Sequence, residues 1–103
     1  MYKNISAEAA KKMMGEGNPY ILLDVRTQAE FKEIHIPGAV LIPNDQIKSR
    51  AKTELPDKDA LILVYCRSGA RAAGAANELD HMGYKNVCNF GGIMNWSYET
   101  AKG

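Results

Sequence analysis

The sequence predicts an α/β fold in which a central, mostly parallel β-sheet carries helices on both faces. Two continuous apolar runs of strand length, residues 20–25 and 61–65, have the pattern of strands buried on both faces of a parallel sheet. An alanine-rich stretch, residues 70–82, follows the second run and is typical of a helix. Because strands alternate with helices along the chain, we expect the functional site at the carboxyl ends of the strands.

Local signals define the elements in the first part of the chain. Ser6 can cap a helix over residues 7–14, which the glycine, asparagine and proline of residues 15–19 must end. Thr27 and Glu30 fit a capping box, so we expect a short helix there, before the Ile-Pro-Gly turn at residues 36–38. Further weak signals predict a short strand at residues 40–42 and helical character at residues 46–55.

Glycines mark the element ends in the last part of the chain. Gly83 is placed to end the helix at residues 70–82 as a C-cap glycine. A further short strand is predicted at residues 85–89. We expect Gly91 and Gly92 to turn the chain into a closing helix over residues 93–100, with Trp96 as its large buried anchor.

The length and composition favour one globular domain over residues 1–103. The chain is 46% hydrophobic and 24% charged, and no linker divides it. Its formal net charge of +1 gives no reason to expect a nucleic-acid or membrane partner. The start lacks the apolar core of a signal peptide, and no stretch approaches the roughly 20 apolar residues of a membrane helix. We therefore expect a cytoplasmic protein.

The cysteines and histidines do not have the spacing of a metal site. Cys66 and Cys88 are too few for a zinc cluster or a disulfide framework, and His35 and His81 show no ligand spacing. We expect no bound metal and no cofactor. Cys88 lies on a short apolar strand, where a small buried hydrophobe is a commoner role than a resolving thiol.

Cys66 stands at a predicted strand-to-helix turn. Such a turn points backbone N–H groups inward at the positive end of the following helix, and Arg67 and Arg71 flank the same turn. A thiol with an ordinary pKa of about 8.5 is mostly protonated at neutral pH, whereas cations and a helix N-terminus favour the thiolate. The turn therefore predicts an exposed, nucleophilic cysteine that acts on an anionic substrate.

Four phrases, in this order, resemble the rhodanese domain family. They are Leu-Asp-Val-Arg at residues 23–26 with Glu-Phe at 30–31, His-Ile-Pro-Gly-Ala at 35–39, the loop at 66–71, and Gly-Gly before Trp96 at 91–96. The resemblance implies a three-layer fold with a sheet of about five strands. It also implies that Cys66 takes a sulfane sulfur from a donor such as thiosulfate, becomes a persulfide, and passes the sulfur to cyanide or a thiol.

The loop residues after Cys66 are the predicted substrate-binding groups. Guanidinium groups of Arg67 and Arg71 match the sulfonate oxygens of thiosulfate, Gly69 allows close backbone approach, and the Ser68 hydroxyl can donate. The loop itself contains no acidic residue that would compete for the donors. The full set assigned to substrate binding is Arg67, Ser68, Gly69, Ala70 and Arg71.

Four further residues are predicted to brace the site rather than to act in catalysis. Asp24, Arg26 and Glu30 favour an ion-pair and capping network at a strand end over an acid and base pair. His35 belongs to a phrase that forms a turn in the family, which favours a structural role over proton donation.

Three other functions are compatible with parts of this pattern. Cys66 can instead carry persulfide between protein partners, with thiosulfate incidental. Phosphatases and arsenate reductases of similar fold have a longer loop, whereas Cys66 and Arg71 have four residues between them, a shorter cradle that suits sulfur. A purely structural domain is disfavoured because the nucleophile is present.

Overall fold

The computed structural model describes residues 1–103 and contains one parallel β-sheet with four α-helices. The strand order is β1-β5-β4-β2-β3, and every neighbouring pair is parallel. The strands are β1 (Lys3–Asn4), β2 (Ile21–Asp24), β3 (Val40–Leu41), β4 (Leu61–Cys66) and β5 (Asn86–Gly92). The helices are α1 (Ala7–Met14), α2 (Gln28–Glu33), α3 (Ile47–Glu54) and α4 (Ala70–His81). The predicted α/β fold is confirmed.

The sheet has an apolar core on each face. On one face, alternate residues of β2 and β4 pack against α3 and α4, including Ile47, Ala72 and Leu79. On the other face, the intervening residues and those of β5 pack against α1 and Trp96. Since successive side chains of a strand point to opposite faces, the continuous apolar runs of β2 and β4 supply both cores. The prediction of strands buried on both faces is therefore confirmed.

The predicted helix caps are present in the structure. The Ser6 hydroxyl accepts the Ala9 N–H at 3.0 Å, and α1 covers the predicted residues. At α2, the Thr27 hydroxyl accepts the Glu30 N–H and the Glu30 carboxylate accepts the Thr27 N–H, which completes the capping box. Gly83 follows α4 with a φ of +96°, the left-handed conformation that ends many helices.

The end of the chain differs from the prediction. Gly91 and Gly92 extend β5 instead of forming a turn, and the expected helix at residues 93–100 is only a 3₁₀ turn, Ile93–Asn95. Beyond it the chain is drawn into an extended path, because Ala101 pairs with the backbone of His35 in an antiparallel bridge. Trp96 is buried as predicted, and its indole N–H donates to the Glu99 carbonyl.

One strand was missing from the prediction. β1 has only two residues, Lys3 and Asn4, and both are exposed. It pairs with β5 through its backbone, so its side chains carry no apolar pattern that would reveal it. None of the helices has both the length and the apolar character that crossing a membrane requires.

We expect Gly74→Ala to stabilise the protein by about 0.5–1 kcal/mol, because alanine loses less backbone entropy in a helix. Gly74 lies within α4 and a methyl group there would meet no atom within 4 Å. Urea unfolding followed by fluorescence of the single tryptophan measures the change. The matched variant Gly83→Ala should destabilise the protein instead, since alanine is strained at the positive φ of that position.

Candidate active site

Cys66 is the last residue of β4, a central strand of the sheet, and its sulfur lies beneath the loop that follows. The Gly69 N–H donates to Cys66 Sγ at 2.9 Å, and the Gly91 carbonyl oxygen lies 3.9 Å from the same sulfur. The residue is 1% exposed. The expectation of an exposed thiol is therefore wrong, because the loop folds back over the sulfur. The solvent-facing side of the loop, here called the loop opening, is formed by Arg67, Ser68 and Ala70.

The backbone of this loop presents free hydrogen-bond donors. α4 begins at Ala70 without a side-chain cap, and its first backbone bond runs from the Ala73 N–H to the Gly69 carbonyl. No acceptor in the protein bonds the N–H groups of Arg67, Ser68, Ala70, Arg71 and Ala72. Unpaired N–H groups at the start of a helix carry partial positive charge, so the loop can stabilise an anion beside the sulfur.

The end of β5 forms the floor on which the loop rests. β5 lies beside β4, with Gly92 in register with Cys66. A Cβ atom at Gly92 would lie 1.9 Å from the Arg67 carbonyl oxygen and 2.5 Å from the Ser68 nitrogen. The two backbones therefore touch, and only glycine fits there. The sequence analysis missed this role because it treated the glycine pair as a turn.

Further hydrogen bonds hold this floor in place. Gly91 has a φ of +97°, and its N–H donates to the buried Asn89 side chain at 2.9 Å. On the other side of the floor, the Met94 N–H donates to the Arg67 carbonyl at 3.2 Å. Asn89 was also not predicted as a site residue. An asparagine two positions before a glycine is a local signal for such a turn-like bond.

Asp24 and Arg26 form a buried ion pair at the end of β2, as predicted. The Arg26 guanidinium donates to Asp24 through Nε and Nη2, with Nη2 to Oδ2 at 2.7 Å, and the two side chains are 3% and 0% exposed. Arg26 Nη2 also donates to the Ile34 carbonyl at 2.6 Å. This pair ties β2 to the segment after α2, which is a bracing role.

Glu30 does not pair with Arg26 but binds an arginine of the Cys66 loop. Arg71 donates to Glu30 through Nη1 at 2.7 Å and Nη2 at 2.9 Å, so a predicted bracing residue binds a predicted substrate-binding residue. The hydrogen bond from Arg71, aided by those from Thr27 and opposed by desolvation, lowers the pKa of Glu30 to about 2. Although the loop contains no acidic residue, α2 therefore places a carboxylate against its last arginine.

Of the other predicted site residues, three lie on the surface of the Cys66 loop, and the fourth, His35, lies beside the C-terminal end of the chain. Arg67, Ser68 and Ala70 are exposed, and the Arg67 side chain makes no ion pair. His35 stacks on the Phe31 ring, with centroids 3.8 Å apart, and its Nδ1 is hydrogen-bonded to the Phe31 carbonyl. None of the hydrogen bonds of His35 is made to the Cys66 loop.

The second cysteine lies away from Cys66. Cys88 lies within β5 in register with Leu63, whereas Cys66 is in register with Gly92. The two side chains pack into the cores on opposite faces of the sheet. Both thiols are free. Cys88 is buried as predicted, and burial raises the pKa of its thiol. No three His, Cys, Asp or Glu side chains are grouped so as to hold a metal ion.

Comparisons with known proteins agree on one family. The sequence profile of the Rhodanese-like domain matches residues 6–99. The thiosulfate sulfurtransferase PspE of Escherichia coli (strain K12) is 36% identical over 81 residues, which cover 79% of this chain and 78% of that protein. The putative sulfur carrier protein YrkF of Bacillus subtilis (strain 168) is 36% identical over 97 residues, 93% of this chain but only 51% of that protein.

A solved structure shows the same fold. It is described as a rhodanese with anions from E. coli, has a TM-score of 0.77 and 34% sequence identity, and the match covers 82% of this chain and all of that one. The sheet order and the position of the loop described above therefore belong to a known architecture.

We expect Gly92→Ala to lower the free energy of unfolding by about 1–3 kcal/mol, because the added methyl group forces the two backbones apart. Urea unfolding measures this loss, and amide NMR spectra should show shifts at residues 67–69 but not in α1. Gly74→Ala is the matched control, since it adds the same methyl group in open space. A Gly92→Ala protein as stable as the wild type would contradict the proposed contact.

The low pKa of Glu30 predicts a pH-dependent contribution to stability. A carboxyl group whose native pKa lies below its ordinary value of 4.5 stabilises the fold above that pH, and the contribution is lost as the pH falls towards about 2. Glu30→Gln should therefore cost about 1 kcal/mol at neutral pH, a value reduced by solvent screening, and progressively less below about pH 4. Urea unfolding of both proteins across this range tests the trend, with the unpaired, exposed Glu16→Gln as the control.

Proposed function

Because the chain belongs to the rhodanese-like domain family, and several of its relatives are named sulfurtransferases, we propose that it transfers a sulfane sulfur carried as a persulfide on Cys66. The observation that carries this proposal is the Cys66 sulfur lying under a loop of unpaired backbone N–H donors. A persulfide ends in an anionic sulfur, and such donors stabilise that charge without supplying a proton of their own.

The proposed reaction has two displacement steps. The Cys66 thiolate attacks the outer sulfur of thiosulfate, the sulfur–sulfur bond of the donor breaks, and sulfite leaves with the electron pair. A thiophilic acceptor such as cyanide or a thiol then attacks the outer sulfur of the persulfide and releases the Cys66 thiolate. Neither step needs a metal, a cofactor or an external oxidant.

The loop supplies the groups for each step. Gly69 donates its N–H to Cys66 Sγ, and we assign the remaining unpaired N–H groups of the loop to stabilising the charge of the added sulfur. We assign anion recognition at the opening to the side chains of Arg67 and Ser68, which are exposed. Arg71 belongs to the same set, although Glu30 already binds its two terminal nitrogens.

The residues around the loop are proposed to hold it in place rather than to act on the substrate. Asp24, Arg26 and Glu30 brace the loops around Cys66, and His35 holds the chain end rather than moving protons. The proposed partners are a small sulfur-containing anion, a thiol or cyanide acceptor, and protein donors or acceptors of sulfur that reach the loop opening. We propose this activity for a single domain acting in the cytoplasm.

A second candidate function is that of a persulfide carrier between proteins. The resemblance to a putative sulfur carrier protein supports it. The chemistry on Cys66 is the same, and the difference lies in the partner. Slow turnover with thiosulfate and cyanide, together with fast sulfur exchange with a protein persulfide, would favour the carrier.

Phosphatase or arsenate reductase activity ranks below both. Four residues separate Cys66 from Arg71, and the shorter loop leaves less room to encircle a phosphate. Efficient turnover of p-nitrophenyl phosphate would reverse this ranking.

Treatment with thiosulfate should add the mass of one sulfur atom to the intact protein, and cyanide should remove it. Intact-mass spectrometry detects both changes. Cys66→Ser should gain no sulfur and should lose essentially all transfer activity, because it lacks the nucleophile. The matched variant Cys88→Ser should behave as the wild type, since Cys88 is buried in the core on the opposite face of the sheet from Cys66. Sulfur uptake by Cys66→Ser would refute the mechanism.

A further inference from the structure

The last arginine of the loop is already bound by a carboxylate. Arg71 donates through Nη1 and Nη2 to the two oxygens of Glu30, at 2.7 and 2.9 Å. Glu30 is itself held in place, because its Oε1 accepts the N–H and the hydroxyl of Thr27, each at 3.0 Å. The capping box of α2 therefore aims a fixed carboxylate at the loop, and each terminal nitrogen of the guanidinium already donates one hydrogen bond to that carboxylate.

This contact changes the charge available at the loop. Arg67 and Arg71 contribute two positive charges and Glu30 one negative charge, which leaves a net charge of +1 from these three side chains. The low pKa of Glu30, about 2, keeps its carboxylate charged at neutral pH. Arg67 is the one arginine of the loop without an ion pair.

Two chemical classes of sulfur donor make different demands on such a loop. Thiosulfate carries two negative charges at neutral pH, and its sulfonate oxygens are best bound by the planar fork of a guanidinium. A persulfide carries at most one charge, on its outer sulfur, which backbone N–H groups can stabilise without an arginine. A carboxylate next to the loop repels the doubly charged donor more strongly than the singly charged one.

We propose that Glu30 is a specificity-determining residue that disfavours thiosulfate relative to singly charged persulfide donors, by occupying the Arg71 guanidinium and by placing a negative charge beside the loop. This inference rests on the proposed sulfur transfer through Cys66 and names the class of donor that the site favours.

In the favoured step, the Cys66 thiolate attacks the outer sulfur of the persulfide. The donor's sulfur–sulfur bond breaks and its inner sulfur leaves as a thiolate with the electron pair, while the transferred sulfur keeps its negative charge on the new Cys66 persulfide.

The test compares sulfur loading of Cys66 from two donors. Rapid-quench intact-mass spectrometry gives the second-order loading rate from thiosulfate and from the persulfide of 2-mercaptoethanol, an uncharged thiol. In Glu30→Gln, the rate from thiosulfate should rise about three- to tenfold, the range expected when one partly exposed negative charge is removed from the path of a doubly charged anion. The rate from the persulfide should stay within about twofold.

Two further variants separate this role from a general structural one. Glu54→Gln breaks a comparable ion pair, that of Arg50 with Glu54 on α3, and should change neither rate. Glu30→Gln combined with Arg71→Gln should lose the gain with thiosulfate, because the guanidinium freed by the first change is removed by the second. Should Glu30→Gln fail to fold, Arg71→Gln alone should reduce the thiosulfate rate at least about threefold more than the persulfide rate.

The outcomes distinguish this inference from the proposed function. If neither donor loads the wild-type Cys66, the proposed sulfur transfer is wrong. If both donors load it but Glu30→Gln leaves the ratio of their rates unchanged, or alters both rates equally, the role of Glu30 is wrong while sulfur transfer stands.

Discussion

The contact between two backbones, at Gly92 and at the Cys66 loop, is the constraint on which the site depends. The Arg67 carbonyl and the Ser68 nitrogen occupy the space where any other residue at position 92 would have a side chain. Because the loop rests on a strand rather than on mobile side chains, the Gly69 N–H is held against Cys66 Sγ. The start of α4 is positioned by the same contact, since its N-cap residue, Gly69, packs towards Gly91.

Two ion pairs surround this loop, and their burial gives them different roles. The Asp24–Arg26 pair is almost fully buried, and the Ile34 carbonyl takes a further hydrogen bond from the guanidinium, so neither charge is available to a ligand. Breaking such a pair would leave an uncompensated buried charge. The side chains of Glu30 and Arg71 are about one-third exposed and stand at the edge of the loop, where they can meet a charged substrate. One pair therefore fixes the scaffold, and the other sets the charge that a substrate meets.

The sequence predicted the parts of the fold that depend on local signals and apolar pattern. Ser6, Thr27 and Gly83 each have a short-range physical reason to end or begin a helix, and each does so in the structure. The prediction failed where the structure depends on backbone contacts between residues that are distant in sequence. β1 is formed by backbone pairing with β5, and Ala101 is held extended by His35, but neither contact leaves an apolar period in the sequence.

In the candidate site, too, the features with local sequence signals were predicted and those set by distant contacts were not. A cysteine between a strand and a helix, flanked by arginines, was readable from the chain, as was the ion pair of Asp24 with Arg26. The partner of Arg71 was not, because Glu30 is 41 residues away in sequence and the two side chains meet only in the folded chain. Nor does the sequence reveal that the sulfur is covered, since burial of Cys66 follows from the loop resting on the end of β5.

In the proposed reaction, the balance between dipoles and full charges around Cys66 allows one loop both to accept and to release an anionic sulfur. Backbone N–H groups stabilise the charge on that sulfur but remain neutral overall, so the attraction is short-ranged and does not hold a departing anion as a pair of free guanidinium groups would. With Arg71 neutralised by Glu30, the opening keeps the single unpaired cation of Arg67. A site with two unpaired arginines would bind anionic products more tightly and release them more slowly. The Glu30–Arg71 pair is therefore consistent with a loop adapted to pass sulfur on, rather than to retain an oxyanion.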